Sequence, residues 1–98
     1  MIYSLLVSES ANKDAIVIFD WYEKRLTGLG NRFITELQVA KVDLLNNPMA
    51  FAKWNKSIRR MVMRKFPYKI FYKIYENKII ILAIIHARRS NRYLKRRL

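Results

Sequence analysis

The chemistry open to this chain is set by its basic side chains and its single histidine. Its 98 residues include 20 Lys and Arg against 7 Asp and Glu, one His and no Cys. Arginine carries a planar fork of donors that matches two phosphate oxygens, and histidine is the side chain best suited to proton transfer near neutral pH. These residue types indicate contact with phosphate, with His86 as the candidate for proton transfer. The alternative for His86 is structural: a partly buried ring that donates to a backbone carbonyl and fixes the C-terminal tail.

Residue types exclude several other kinds of active site. Without Cys there is no thiolate zinc site, no disulfide scaffold and no cysteine nucleophile, and one His is too few for a transition-metal cluster. The sequence has no glycine-rich phosphate loop and no serine placed for a catalytic triad. Glu76 is the only acid after residue 43, which excludes a pair of catalytic carboxylates in that half. We therefore expect no metal and no cofactor.

The net charge of +13 is concentrated in the second half of the chain. Residues 1–43 carry five Lys and Arg against six Asp and Glu, whereas residues 44–98 carry fifteen against Glu76 alone. Such an unopposed positive field favours a polyanion, which could be nucleic acid, the ribosome, an anionic membrane or an acidic protein. A surface that serves only solubility or thermal stability is the alternative.

The chain is predicted to be one cytoplasmic domain, residues 1–98. Its length leaves no room for a second domain, and the absence of Cys suits a reducing cytosol. The first seven residues lack the basic region and long apolar run of a secretion signal. The longest strongly apolar run, residues 79–85, is far too short to span a membrane. We expect no membrane partner.

A strand and a helix hairpin are predicted to come first among the elements that position these residues. Residues 2–7 form a short apolar run typical of a buried strand, and Ser8 or Ser10 is placed to cap the helix that follows. Two apolar stripes at helical spacing predict helices on either side of residues 27–30, the second beginning near Asn31 and stopped by residues 46–48. The stripes consist of Ala11, Ala15, Ile18, Phe19, Tyr22 and Leu26, and of Phe33, Ile34, Leu37, Ala40, Leu44 and Leu45. So short a turn makes the two helices antiparallel.

Three strands and a basic tail are predicted after the hairpin. Residues 49–55 indicate a loop with Phe51 and Trp54 against the core, and residues 57–66 indicate a strand. Apolar and polar residues alternate over 68–75, residues 76–77 indicate a tight turn, and the nearly continuous apolar run 78–87 is typical of a central strand. The tail, residues 88–98, is compatible with a helix and has six basic residues and no acid.

This order predicts an α+β fold, β-α-α-β-β-β, with the helix hairpin packed on one face of a mainly antiparallel four-stranded sheet and a short basic C-terminal helix or tail. The other face is expected to be under-covered, and an exposed apolar sheet face is an aggregation hazard unless a partner covers it. Tyr68, Phe71 and Tyr72 could stack nucleic-acid bases, but alternation in a half-buried strand favours core positions.

Two stretches of the sequence resemble RelE/ParE-type toxins. Residues 66–72, Phe-Pro-Tyr-Lys-Ile-Phe-Tyr, resemble the "FPYxIxY" strand of that family, and residues 80–89, ending His-Ala-Arg-Arg, resemble its last strand and "HxRR" close. Residues 21–23, 28–30, 33 and 47–48 also stand where the family places similar residues. The resemblance covers essentially the whole chain. It implies a β-α-α-β-β-β toxin that is neutralised by an antitoxin encoded beside it.

The resemblance also implies site residues. Lys69 corresponds to the strand arginine of the RelE-like active site, although an ammonium group lacks the arginine fork, and Arg89 corresponds to the arginine after the last strand. Tyr93 lies near the C-terminal tyrosine of the family, at a shorter spacing from Arg89. With His86, these form the candidate catalytic set. The candidate nucleic-acid-binding residues are Lys53, Lys56, Arg59, Arg60, Arg88, Arg92 and Arg96.

Ribosome-dependent mRNA cleavage is the function we expect at this stage, and two alternatives stand beside it. A RelE-like toxin would cleave mRNA in the ribosomal A site as a metal-independent endoribonuclease, stabilising charge on the phosphorane. A ParE-like toxin would poison DNA gyrase without catalysis of its own. A non-toxic, basic nucleic-acid-binding module is the third possibility. For either toxin we expect an acidic, amphipathic antitoxin that covers the apolar sheet face and neutralises part of the basic half.

Overall fold

A computed structural model describes residues 2–98. Its four strands and three helices follow one another in the predicted order. The elements are β1 (Ser4–Val7), α1 (Glu9–Arg25), α2 (Leu29–Asn46), β2 (Arg59–Val62), β3 (Tyr68–Tyr75), β4 (Lys78–His86) and α3 (Asn91–Arg97). The strands form one sheet in the order β1-β4-β3-β2. β1 runs parallel to β4, and the other two pairs are antiparallel. The predicted α+β fold with a mainly antiparallel sheet is confirmed.

α1 begins at a serine cap. Of the two candidates, Ser8 is the cap: its Oγ accepts from the Ala11 N–H at 3.0 Å and donates to the Leu82 carbonyl at 3.2 Å. The first bond satisfies an N–H of the first helical turn that has no partner within the helix. The second ties the start of α1 to the sheet.

The turn between the helices is held by a carboxylate that the sequence reading did not single out. Glu23 accepts from the Gly28 N–H at 2.9 Å and from the Gly30 N–H at 3.0 Å. These bonds cap the first turn of α2, so the helix starts at Leu29 rather than near Asn31. Gly30 also allows close helix packing, because a Cβ there would stand 2.8 Å from the Phe19 ring and carbonyl.

The helix hairpin packs on one face of the sheet and forms the main core. Its centre includes Phe33, Leu44, Ile70 and Tyr72, all with no exposed surface. The Tyr72 hydroxyl donates to the Pro48 carbonyl at 2.6 Å, and burial raises the pKa of Tyr72 to about 12. Tyr72 and Phe71, considered above as base-stacking residues, are therefore core residues.

A β-bulge in β4 changes which side chains face the hairpin. Phe71 pairs with Ala83 and Tyr72 with Ile81, so Leu82 is an extra residue. Ile79 and Ile81 face the hairpin before the bulge, and Ile84 faces it afterwards, whereas Leu82 packs on the second face.

The second face of the sheet is covered at one end and open at the other. Phe71, Ala83 and Ile85 are buried there beneath Leu94 of α3, with Trp54 alongside. The expectation of an under-covered face is thus wrong for this end, because the basic tail folds into a helix with an apolar side. At the other end Leu6 is 51% exposed and Tyr75 is 61% exposed.

Both edge strands are short, and this leaves two stretches of inner strand without a neighbour. β2 occupies residues 59–62 rather than 57–66. It starts later because the Asn55 side chain accepts from the N–H groups of residues 57 and 58 and closes a turn there. Its first residue pairs with Tyr72, so β3 continues unpaired on that side to Tyr75. β1 ends opposite Ile81, so β4 continues beyond it to His86. Each stretch borders a groove.

Candidate functional site

The first groove lies along the open edge of β4, between α1 and α3, and has a volume of about 590 Å³. We call it the β4 groove. Val17 and Trp21 of α1 form one wall and are 67% and 48% exposed. The floor, the opposite wall and the end of the groove are formed by Tyr68, Ile84, Ile85, His86, Arg89, Tyr93 and Arg97.

An ion pair closes one side of the β4 groove. The Asp14 carboxylate accepts from the Ile84 N–H on the open edge of β4 at 3.0 Å and from Arg97 Nη2 at 2.6 Å. Arg97 also donates to the Ser10 hydroxyl at 3.1 Å and to the Tyr93 hydroxyl at 3.4 Å. The hydrogen bond to Asp14 raises the pKa of Arg97 above its already high ordinary value. This pair anchors α3 to α1.

Sequence reasoning missed Asp14. The only signal was its position among the stripe residues Ala11, Ala15 and Ile18, which turns a carboxylate toward the sheet side of α1. Its two partners are 70 and 83 residues away along the chain, so no local pattern could identify them.

The structure places His86 half-buried at the end of β4, where its ring makes a different hydrogen bond from the one expected of the structural alternative. Its Nδ1 accepts from the Arg88 backbone N–H at 3.1 Å instead of donating to a carbonyl. Nδ1 is therefore the unprotonated nitrogen, and Nε2 carries the proton. The ring stands edge-on to Tyr68, with centroids 5.3 Å apart. Alternation along the strand predicts one face for Ile80, Leu82, Ile84 and His86. Ile84 does share the face of His86, but the bulge places Leu82 on the other face.

Arg89 and Tyr93, the other two candidates near the chain end, contact each other. The Arg89 guanidinium lies 4.4 Å from the centre of the Tyr93 ring, and that of Arg96 lies 5.9 Å from it. The Tyr93 hydroxyl is held by Arg97. The β4 groove thus brings together His86, Arg89 and Tyr93.

Lys69 is not part of this arrangement. It pairs with Ile85 across the β3–β4 ladder, on the second face of the sheet. His86 faces the hairpin, so the sheet separates the two side chains. The predicted catalytic set of Lys69, His86, Arg89 and Tyr93 is therefore only partly assembled.

The second groove borders the open edge of β3 and has a volume of about 440 Å³. We call it the β3 groove. Lys53 and Lys56 of the loop before β2 stand on one side, and Lys73 and Tyr75 of β3 stand on the other. Arg59 also lines it, but its guanidinium donates to two loop carbonyls, at 2.8 Å and 3.3 Å, and so fixes the loop.

The remaining candidates for nucleic-acid contact lie outside the β3 groove. Arg60 is half-buried and pairs with Phe71 across the β2–β3 ladder. Arg88 and Arg92 are exposed, one just before α3 and one on it. No group of three or more His, Cys, Asp or Glu within residues 2–98 is placed to hold a metal ion. No helix in that range is long and apolar enough to cross a bilayer.

Comparison with known proteins gives the family. The model of the ParE toxin of type II toxin–antitoxin systems (parDE) matches residues 5–91. The chain belongs to the ParE toxin family. It is a type II toxin, as its resemblance to the RelE/ParE group implied. Curated protein sequences contain no significant match to it.

Solved structures share the fold of this ParE-family toxin. A chromosomal ParDE system from P. aeruginosa matches with a TM-score of 0.74 at 20% identity, over 87% of this chain and 96% of that one. The isolated E. coli RelE toxin matches with a TM-score of 0.64 at 22% identity, over 98% of this chain and 99% of that one. The RelBE2 toxin–antitoxin complex of Mycobacterium tuberculosis matches with a TM-score of 0.60 at 16% identity, over 88% of this chain and 99% of that one.

Proposed function

We propose that this ParE-family toxin arrests growth by binding DNA gyrase and stabilising its cleaved DNA complex, without catalysis of its own. The observation that carries the proposal is the state of the polar groups in the β4 groove. Asp14 is held by two donors, and His86 Nδ1 is held by the Arg88 N–H. Nε2 of His86 therefore presents a proton rather than a lone pair.

A metal-independent ribonuclease needs a general base near the 2′-hydroxyl of its substrate. Among the side chains lining the β4 groove, the two that could accept a proton, Asp14 and His86, are both engaged. Lys69, which would stand for the strand arginine of a nuclease, does not line the groove and lies on the face of the sheet opposite His86. A groove with exposed apolar side chains on one wall, whose carboxylate and imidazole acceptors are already engaged, is better suited to binding a protein than to acid–base chemistry.

Two comparisons support this choice of target. The family model that matches is that of ParE, and the ParDE system gives a higher TM-score, 0.74, than the two Rel structures, 0.64 and 0.60. In the RelE/ParE group, the ParE-like branch is the one associated with gyrase.

A cognate antitoxin is the second partner in this proposal. Two of the similar structures are described as a toxin–antitoxin system or complex. Here the exposed side chains of Val17, Trp21 and Leu6 need cover. An acidic, amphipathic antitoxin segment would bury such surface and oppose the positive half of the chain. The toxin made without it is expected to be toxic or poorly soluble.

The gyrase proposal is tested with purified toxin, gyrase, ATP and relaxed plasmid. We expect loss of supercoiling and the appearance of linear plasmid after detergent and protease treatment, since both report a trapped cleavage complex. Toxin mixed with its antitoxin is the control. Unimpaired supercoiling at stoichiometric toxin would overturn the proposal, and normal growth on overexpression would favour a non-toxic nucleic-acid-binding module.

Ribosome-dependent mRNA cleavage is the second candidate, favoured by the meeting of His86, Arg89 and Tyr93 in one groove. It predicts that mRNA is cut only when ribosomes are present, and that Arg89→Ala abolishes cutting in a folded protein. Arg32→Ala, at an exposed arginine of α2, is the matched control. Intact mRNA in that assay would exclude this candidate.

A further inference from the structure

The β3 groove contains positive charge without carboxylate partners. Lys53, Lys56 and Lys73 are all exposed, and none takes part in an ion pair among residues 2–98. By contrast, Arg64 and Lys65 pair with acids of α2, and Arg97 pairs with Asp14. The unpaired lysines of the groove therefore form a local field that attracts an anion.

An aromatic ring stands within this field. Tyr75 is 61% exposed and lies two residues after Lys73 on β3, so the two side chains leave the same face of the strand, about 7 Å apart. Lys78 is paired with Tyr75 across the β3–β4 ladder and is also exposed. Tyr75 is thus flanked by an ammonium group along its own strand and by another across the ladder.

The backbone of β3 adds a hydrogen-bond donor to the groove. The Tyr68 carbonyl accepts from the Met63 N–H on the β2 side of β3, and alternation along the strand turns Ile74 to the same side. Because β2 has no residue beyond the partner of Tyr72, the Ile74 N–H faces the groove. It is a donor that a phosphate or the edge of a base can use.

We infer that the β3 groove binds single-stranded nucleic acid, with a base stacked on Tyr75 and neighbouring phosphates on Lys53, Lys56 and Lys73. A basic groove combined with an exposed aromatic ring is the arrangement with which proteins bind single strands without sequence preference. A duplex buries the faces of its bases, so only an unpaired base can use the Tyr75 ring. Glu76 is the one nearby acid, and it lies in the turn after β3.

This inference goes beyond the proposed function and does not depend on it. Nucleic acid is part of both a gyrase–DNA complex and a ribosome, so the inference is compatible with either target. Binding to an oligonucleotide is measured without either of them. Failure of the gyrase assay and failure of this inference are therefore separate results.

The test is fluorescence anisotropy of labelled ligands with the purified full-length protein. The ligands are a 12-mer of deoxythymidine, a 12-base-pair duplex and a glutamate-rich peptide of similar charge. We expect the single strand to bind more tightly than the duplex or the peptide. Equal or tighter binding of the peptide would mean that the groove takes an acidic protein instead, and would overturn the inference.

Variants at Tyr75 separate stacking from simple contact. Tyr75→Ala is expected to weaken binding of the single strand by about 5- to 100-fold, the range found when a stacked aromatic residue is replaced. Tyr75→Phe should retain binding, and Tyr75→Leu should behave like Tyr75→Ala. Wild-type binding by Tyr75→Leu would overturn the stacking role.

The lysines are tested by the salt dependence of binding. Lys73→Ala should reduce the slope of log K against log salt by about 0.7, the value expected for one phosphate contact on a single strand. Lys24→Ala, at an exposed lysine of α1, should leave the slope unchanged. Equal effects of the two substitutions would mean that net charge, rather than this groove, holds the strand.

Discussion

The β4 groove and the β3 groove arise in the same way and differ in chemistry. Each borders an inner strand that continues past a short edge strand, and they lie about 20 Å apart along β3. In the β4 groove Asp14 pairs with Arg97, Arg89 stacks on the Tyr93 ring without a carboxylate partner, and exposed Val17 and Trp21 form a wall. In the β3 groove the lysines have no carboxylate partner among the described residues.

This difference separates two kinds of binding surface on one small protein. A charge already paired within the fold gains little from a partner, so the β4 groove offers mainly apolar contact. Unpaired ammonium groups that neutralise the phosphates of a nucleic acid release the cations condensed on it, so the β3 groove offers salt-dependent affinity. Under the two proposals above, the first groove contacts protein and the second contacts nucleic acid.

The largest effect is expected from reversing the charge of the β3 groove. A variant with Lys53→Glu, Lys56→Glu and Lys73→Glu should lose at least about 100-fold in affinity for single-stranded DNA, because three phosphate contacts become repulsive. Anisotropy measures the affinity, and circular dichroism checks the fold. The matched control reverses three exposed cations of the helix hairpin, Lys13, Lys24 and Arg32. Equal losses of affinity in both variants would mean that net charge, and not the β3 groove, determines binding.

The next effect tests the internal pairing of the β4 groove. Asp14→Ala should lower the free energy of unfolding by about 2–4 kcal/mol, because it leaves the partly buried Arg97 guanidinium and the Ile84 N–H without their acceptor. Urea denaturation measures this change in the free energy of unfolding. Asp43→Ala, which removes a surface pair with Arg64, should cost under about 1 kcal/mol. A small effect at Asp14 would mean that α3 is not anchored by this pair.

A smaller effect is expected at alkaline pH. Burial, and to a lesser extent the neighbouring Tyr22, raises the pKa of Tyr68 from 10.0 to about 12. Its neutral phenol therefore contributes stability that is complete below pH 10 and is lost as the pH rises toward 12. Tyr68→Phe should lose less stability over this window than the wild type, as measured by urea denaturation. Tyr75→Phe, at an exposed ring, should follow the wild type.

The smallest effect is predicted for Tyr93→Phe. The substitution removes only the 3.4 Å bond from Arg97, so the free energy of unfolding should fall by about 0.5–1 kcal/mol at most. Growth arrest on induction should persist if the toxin acts by binding. Loss of toxicity in a stable Tyr93→Phe protein would instead favour a catalytic hydroxyl and the RelE-like reading.

Local patterns in the sequence predicted most of the fold. Helical spacing identified both helices of the hairpin, alternation identified β3, and a serine was expected at the cap of α1. These features depend on residues close together in the chain. The length of β2 was overestimated, because the Asn55 turn that shortens it depends on a side-chain bond rather than on hydrophobic pattern.

The candidate site was predicted less completely. The sequence placed His86, Arg89 and Tyr93 near one another at the chain end, and the structure brings them into one groove. It grouped Lys69 with them, but strand alternation places that side chain on the face opposite His86 and outside the groove. The bulge at Leu82 changes the face of the sheet on which His86 lies. The nearly continuous apolar run of β4 contains no pattern that predicts this bulge.

The sequence by itself determined the order of elements, the excess of cations after residue 43 and the family resemblance, because each is a property of neighbouring residues or of composition. Only the tertiary structure decided which cations are neutralised. Arg97 meets Asp14 across 83 residues, whereas Lys53, Lys56 and Lys73 gather beside Tyr75 and form no ion pair among the described residues. Charge pairing depends on distances in space, which the fold sets and which a linear pattern does not contain.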